Sequence, residues 1–184
     1  MRRKSFWSAT STTQAPGFEW CNAGRMERVS IRTFVDADLP WAERLIGGGF
    51  GGRLQVRLGS VIDALACPGL VAEEDDDPVG IVTFDPDGTD VEVVYIEVVA
   101  KHQGVGTRLL DVLEARTKAR RLWLVTTNDN LDALRFYQRR GFRITEVRPG
   151  AVEETRETLK PSVSEVGSFG IPIRDEIVLE RLRC

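Results

Sequence analysis

Apolar residues in this chain follow two rhythms that alternate from residue 69 onward. The runs Gly69–Glu74 and Val79–Phe84 flank the acidic stretch Asp75–Pro78. Apolar and β-branched residues bounded by turn formers predict an antiparallel hairpin, with the charges solvated at its turn. Pro86-Asp87-Gly88 supplies the next turn, and Val91–Val99 predicts a central strand. From Gly104 to Ala119 the rhythm changes. Val105, Leu109, Val112 and Leu113 recur at helical spacing, the buried stripe of an amphipathic helix. Arg121–Thr126 is a continuous apolar run, as in a strand covered on both faces. Asn130 is placed to cap another helix, Gly141 fits the left-handed position at that helix's end, and Phe142–Val147 predicts a further strand. A polar helix after Pro149, a loop over Lys160–Pro172 and a strand over Asp175–Leu182 follow.

Ahead of residue 69 the pattern is weaker. Ile31 and Phe34 predict a strand near Arg28–Phe34, and Asp36 or Asp38 can cap a helix running to Ile46, with Pro40 tolerated in its first turn. Gly47–Gly52 reads as a loop and Val56–Ala66 as a second helical segment. Residues 1–25 open with Arg2, Arg3 and Lys4 and continue without apolar periodicity. They are expected to be a dispensable, disordered tail, with Met26 as an alternative start and one folded domain over 26–184.

With 184 residues the chain can bury the core of one domain. Its net charge of −3 argues against a general nucleic-acid binder, which needs a basic surface to neutralise phosphates. No run of eighteen apolar residues is present to span a membrane. Cys21, Cys67 and Cys184 are odd in number and far apart, which fits free thiols in a reduced, cytoplasmic protein better than a disulfide framework. A single histidine, His102, and no His/Cys cluster give no basis for a metal site.

The candidate chemistry lies in the segment Lys101–Leu110, K-H-Q-G-V-G-T-R-L-L, directly after the central strand. Gly104 and Gly106 let backbone N–H groups approach an anion closely, and the first helical turn adds unpaired donors and a partial positive charge. A dinucleotide-binding fingerprint is disfavoured, since no third glycine stands in register and the turn lies past residue 100. A second segment, Asn130–Phe142, reads N-L-D-A-L-R-F-Y-Q-R-R-G-F. Together the two segments resemble the GNAT superfamily of acetyl-CoA-dependent N-acetyltransferases. Lys101, Gly104 and Gly106 match its pyrophosphate turn, with Lys for the usual Arg or Gln. Asn130, Ala133, Phe136, Tyr137, Gly141 and Phe142 match its second motif. Two departures are the absence of V-x-P ahead of the turn, where Val98-Val99-Ala100 stands, and of a glycine near Lys118–Leu122.

The resemblance implies an α/β fold with a central mixed sheet flanked by helices on both faces. It implies acetyl-CoA as acyl donor, with its arm against Val98 and Val99, its pyrophosphate on the amides of His102, Gln103, Gly104, Val105, Gly106 and Thr107, and Asn130 touching the arm. An amine is the acceptor, of a small molecule or a protein, and a homodimer stays open. A catalytically weak acyl-CoA sensor or interaction module is the alternative.

Acetyl transfer needs a neutral amine, whereas a lysine-like ammonium has a pKa of about 10.4, a deficit of roughly 3 units at neutral pH. A carboxylate can remove that proton. Glu92 and Glu97 are the candidates on the central strand, and their odd separation predicts opposite faces. Tyr137 is the candidate acid for the leaving thiolate, as its motif position implies. The Pro- and Gly-bearing loop Lys160–Pro172 is long enough to form a lid over the acceptor side.

Overall fold

Why the chain folds as it does is clearest in its central strand. The computed structural model describes residues 28–47, 51–101 and 103–183. The expected tail over 1–25 and the phosphate role of His102 lie outside these residues, as does part of the Gly47–Gly52 loop. Strands β1 (Val29–Thr33), β4 (Gly69–Glu74), β5 (Asp77–Asp87), β6 (Asp90–Val98), β7 (Arg121–Thr127), β9 (Glu176–Leu182) and β8 (Arg143–Arg148) lie side by side in that order as one sheet. Only β6 and β7 are parallel neighbours; the other adjacent pairs are antiparallel. Helix α1 spans Leu39–Gly47, α2 Val105–Thr117, α3 Leu131–Gln138 and α4 Ala151–Thr158.

Two apolar cores sandwich the sheet. Leu109, Leu110 and Leu113 of α2 and Tyr137 of α3 pack on Val82, Val91, Val93, Leu122, Leu124, Ile177 and Leu179. On the opposite face, Ala42 and Ile46 of α1 pack with Ala64, Leu65, Ile81 and Tyr95. The expected mixed sheet with helices on both faces is therefore present.

One element differs from expectation. Residues 56–66 are not helical: β2 (Leu54–Arg57) and β3 (Ser60–Asp63) form a separate antiparallel hairpin. Its turn places Leu58 at φ 51° and Gly59 at φ 71°. Such a two-residue turn matches strand twist, and β-branched Val56, Val61 and Ile62 suit strands, so local chemistry overrides the helix-like spacing. Helix α2 ends on Lys118 at φ 54°, so a lysine takes the left-handed position where the sequence lacks a glycine. Gly141, at φ 81°, ends the α3 region as expected. At the start of α1, Asp38 does not cap forward. It accepts the Val35 N–H (2.9 Å) and holds Arg32 through both carboxylate oxygens (2.7 Å each).

A bulge in β6 corrects the reading of its two glutamates. The β5–β6 register shifts between Thr83 and Phe84: Thr83 faces Tyr95, Phe84 faces Val93, and Val94 has no partner in register. The extra residue resets the alternation. Val91, Val93, Ile96 and Val98 join the α2/α3 core, whereas Val94 and Tyr95 join the α1 core. Glu92 and Glu97 thus share the α1 face, contrary to their odd spacing.

Candidate active site

Strands β6 and β7 pair only at their beginnings, through Asp90–Arg121, Val91–Leu122 and Glu92–Trp123. Beyond that point β7 continues to pair with β9 and β6 with β5, but no residue of β7 stands opposite Val93–Val98. The two strands splay, and the gap leaves one edge of β6 without sheet partners. The Val99 N–H donates to the Val79 carbonyl (2.9 Å) on the β5 side. Successive N–H groups alternate along a strand, so the Val98 N–H points into the gap. Its acceptor there is its neighbour's Glu97 Oε1, at 3.4 Å. Of these two expected arm-binding residues, Val98 turns its N–H toward the gap, where only a long bond to Glu97 engages it, whereas the Val99 N–H is used by β5.

The glycine turn stands at the open end of this gap. Gly104 adopts φ 89° and ψ −16°, a left-handed conformation that permits α2 to start at Val105. Gly106 serves differently. A Cβ there would lie 3.1 Å from Phe136 Cζ, so its lack of side chain lets α2 approach α3. Val105 buries its side chain in the core and offers only its N–H to the turn. The N–H groups of Val105, Gly106 and Thr107 belong to the first turn, where no intrahelical acceptor exists. Gln103 Oε1 is buried there without a hydrogen-bond partner. Unpaired donors, an orphaned amide and a partnerless strand edge suit a ligand with phosphates and an amide-bearing arm, such as acetyl-CoA. Lys101 meets Asp132 at 3.8 Å on the surface.

Across the gap, Asn130 Oδ1 accepts the Ala133 N–H (3.2 Å) and caps α3. Tyr137 is buried, edge-on to Phe136 and Phe142 with centroids 5.0 and 5.2 Å away. Burial pushes its phenol above the ordinary range, so it keeps its proton at neutral pH.

The two glutamates have different surroundings. Glu92 sits at the closed end of the splay, buried, with both oxygens held by Arg57 of β2 at 2.7 Å. Glu97 lies at the open end, partly exposed. The neighbouring Tyr95 hydroxyl is buried without a well-placed hydrogen-bond partner. Burial, and then the Glu97 carboxylate, push the Tyr95 phenol up.

A cavity of about 640 Å³ adjoins the end of β7. Thr127 and Glu176 contribute from the sheet, with Gln55, Val152, Lys160 and Ser168 among the surrounding residues. Buried Glu176 is held by the Leu58 N–H (3.1 Å) and Arg148 (3.0 Å). A smaller cavity of about 350 Å³, near Thr89 and Arg120, touches no residue of the glycine turn.

The segment expected to be a lid is tied down. Asp129, fully buried, accepts the Thr127 hydroxyl and the Ser168 N–H (3.0 Å). Asn128 Oδ1 accepts the N–H groups of Arg174 (3.0 Å) and Asp175 (3.1 Å), and its Nδ2 donates to the Pro172 carbonyl (2.9 Å). Sequence reasoning missed Asp129 and Asn128. The available signal was a cluster of short polar side chains, Thr127-Asn128-Asp129-Asn130, directly after a buried strand.

Comparison with known proteins agrees with this geometry. The family described as Acetyltransferase (GNAT) family matches residues 42–142. The uncharacterized protein YdhI of Bacillus subtilis is 41% identical over 107 residues, which span 56% of this chain and 66% of that protein. An IAA acetyltransferase from Bacillus cereus superposes with a TM-score of 0.64 at 21% identity, over 84% of this chain and 99% of the other. A GNAT family acetyltransferase from Elizabethkingia anophelis, solved with acetyl-CoA bound, gives 0.59 at 19% identity, over 85% and 99%.

Proposed function

Because this chain belongs to the GNAT acetyltransferase family, we infer that it transfers the acetyl group of acetyl-CoA to an amine by direct attack in a ternary complex. The splay of β6 and β7 past Glu92 and Trp123 is the observation that carries this reading. The donor's arm takes the place of the missing strand partner, with the Val98 N–H among its hydrogen-bond donors. Its phosphates rest on the amides of Gln103–Thr107, and Asn130 stands beside the arm.

Bound acetyl-CoA supplies an activated acyl carbon and a thiolate leaving group. Glu97 takes the proton of the incoming ammonium, directly or through water, and frees the nitrogen lone pair. That nitrogen bonds to the acyl carbon as the C–S bond breaks, and its remaining excess proton passes to water to leave the neutral amide. Tyr137, kept protonated by its burial, gives its proton to the departing sulfur and is reprotonated from solvent. Glu97 is preferred to Glu92 as base because both oxygens of Glu92 are engaged by Arg57. The amine approaches Glu97 on the α1 face, and the 640 Å³ cavity at the end of β7 offers room for its remaining part. Its chemical identity does not follow from these residues, so both small amines and protein amines are acceptor classes.

Free-thiol release from acetyl-CoA, measured over a panel of small amines, lysine peptides and peptides with free N-termini, tests this reading. Amine-dependent release that falls in Glu97→Gln and Tyr137→Phe is the expected result. Tight acetyl-CoA binding without turnover on any amine would favour the sensor alternative.

A further inference from the structure

Two segments are fastened over the sheet near the end of β7. The β2–β3 hairpin is held down by Arg57 on Glu92 and by the Leu58 N–H on Glu176. The 160–172 segment is held by Asp129 and Asn128. Pairing of β7 with β9 runs without a register shift, and Leu122, Leu124 and Ile177 join the α2/α3 core. Alternation therefore turns Thr127 and Glu176 to the opposite face, the one that carries Glu97. The cavity of about 640 Å³ lies between this floor and the two segments, and its volume is that of a small-molecule site.

Lys160, just past the end of α4, joins the two segments. Its ammonium donates to the Gly51 carbonyl at 2.6 Å and to the Leu54 carbonyl at 2.7 Å. Both partners are neutral, and an ammonium has three N–H groups, so one donor and the whole charge remain. Burial lowers the Lys160 pKa from its ordinary value, and no neighbouring acid opposes that fall. Among the described residues that line the cavity, Lys160 is the only cation and Glu176 the only acid. That acid is already held by Arg148 at 3.0 Å and the Leu58 N–H at 3.1 Å. The cavity thus contains a partly desolvated cation without an anionic partner.

The charges also select among anions. One cation with one remaining donor matches a monoanionic carboxylate. A dianionic phosphate would exceed the charge of Lys160 and meet Glu176 in the same space. Val56, Val152 and Ile173 add apolar wall, which suits a short carbon skeleton between the two polar ends of the ligand.

We propose that Lys160 binds a carboxylate of the acceptor, so that the acetylated amine belongs to a small amino acid and not to a protein chain or a simple amine. This inference rests on the acetyl-transfer reading above and narrows its acceptor class. The ammonium end lies toward Glu97 and the carboxylate end toward Lys160.

The test is free-thiol release from acetyl-CoA by the full-length protein with glycine, β-alanine, γ-aminobutyrate and L-phenylalanine, each against its own carboxamide. The best acid is expected to exceed its amide about 10- to 100-fold in kcat/KM, mostly through KM, the range for a hydrogen bond to a charged group. Lys160→Met removes the charge and should bring that ratio close to one, whereas Lys160→Arg should keep part of it. A role confined to tying down the Gly51 and Leu54 carbonyls would lower acid and amide alike and leave the ratio in place, which overturns the proposal. A wild type that uses amides or peptide amines as well as the acids also overturns it, whether or not the Met variant folds. Absence of release with every acid, amide and peptide would defeat the acetyl-transfer reading itself, and this inference with it.

Discussion

Gly167 is held in place by a contact that no side chain permits, so Gly167→Ala gives a sharp test of how the 160–172 segment is anchored. A Cβ at residue 167 would stand 2.0 Å from Asp129 Oδ2, 2.6 Å from its Cγ and 2.9 Å from Ile173 Cδ1. The backbone, at φ −110°, is not the obstacle. Either the Asp129 carboxylate swings away or the segment lifts, and both break the Ser168 N–H bond to Oδ2. A hydrogen bond to a charged group contributes about 1.5–3 kcal/mol, and leaving the fully buried Asp129 short of a donor adds to the cost. We expect a loss of about 2–4 kcal/mol, which is about 4–16 °C in Tm for a domain of this size. Thermal unfolding reads the total, and hydrogen exchange at the Ser168 amide reads the local opening. The cause is isolated by repeating the substitution in an Asp129→Ala background. There only the Ile173 contact remains, so the added cost should fall below about 1 kcal/mol. Wild-type Tm and Ser168 protection in Gly167→Ala, or equal costs in both backgrounds, would refute the reasoning.

Three further outcomes are expected. Arg57→Met strands Glu92 as a buried charge without its partner and should cost about 3–5 kcal/mol by denaturant unfolding; a loss under about 1 kcal/mol would show the pair to be effectively solvated. Tyr137→Phe should lower turnover about 10²–10⁴-fold with little change in acetyl-CoA affinity. Because burial holds the Tyr137 phenol above its ordinary pKa of about 10, wild type and variant should share one pH–rate shape up to about pH 10. Arg32 holds the Asp38 carboxyl below the usual range against the opposing effect of burial, and the Val35 N–H assists. A depressed folded pKa contributes stability that is present above the unfolded value of about 3.9 and lost as pH falls through the folded one. Asp38→Asn should therefore be less stable at pH 7 and show a shallower acid decline below about pH 4, read by Tm against pH.

Features encoded within a few neighbouring residues were legible in the sequence. The buried stripe of α2, the cap at Asn130 and the left-handed Gly141 each depend on local spacing and backbone chemistry, and each stands where expected. Features fixed by a partner strand were not. The bulge at Val94 arises from the β5 register, so spacing within β6 alone puts Glu92 and Glu97 on opposite faces. Helical spacing over residues 56–66 lost to the Leu58-Gly59 turn, which only pairing of β2 with β3 reveals. Arg140 donates to the Thr107 hydroxyl at the start of α2 across 33 residues. Asp129 and Gly167 meet across an even longer stretch of chain. The glycine turn itself was thus readable from the sequence, whereas the side chains around it required the fold.

The central claim is that the splay between β6 and β7 holds acetyl-CoA with its reacting end between Glu97 and Tyr137. A crystal structure of the protein with acetyl-CoA tests it most directly. The account predicts the arm hydrogen-bonded along β6 beyond Glu92, the pyrophosphate on the Gly104–Thr107 turn, and the sulfur within hydrogen-bond reach of the Tyr137 hydroxyl with the acetyl group toward Glu97. Density for the arm outside the splay, or a sulfur remote from Tyr137, would contradict it.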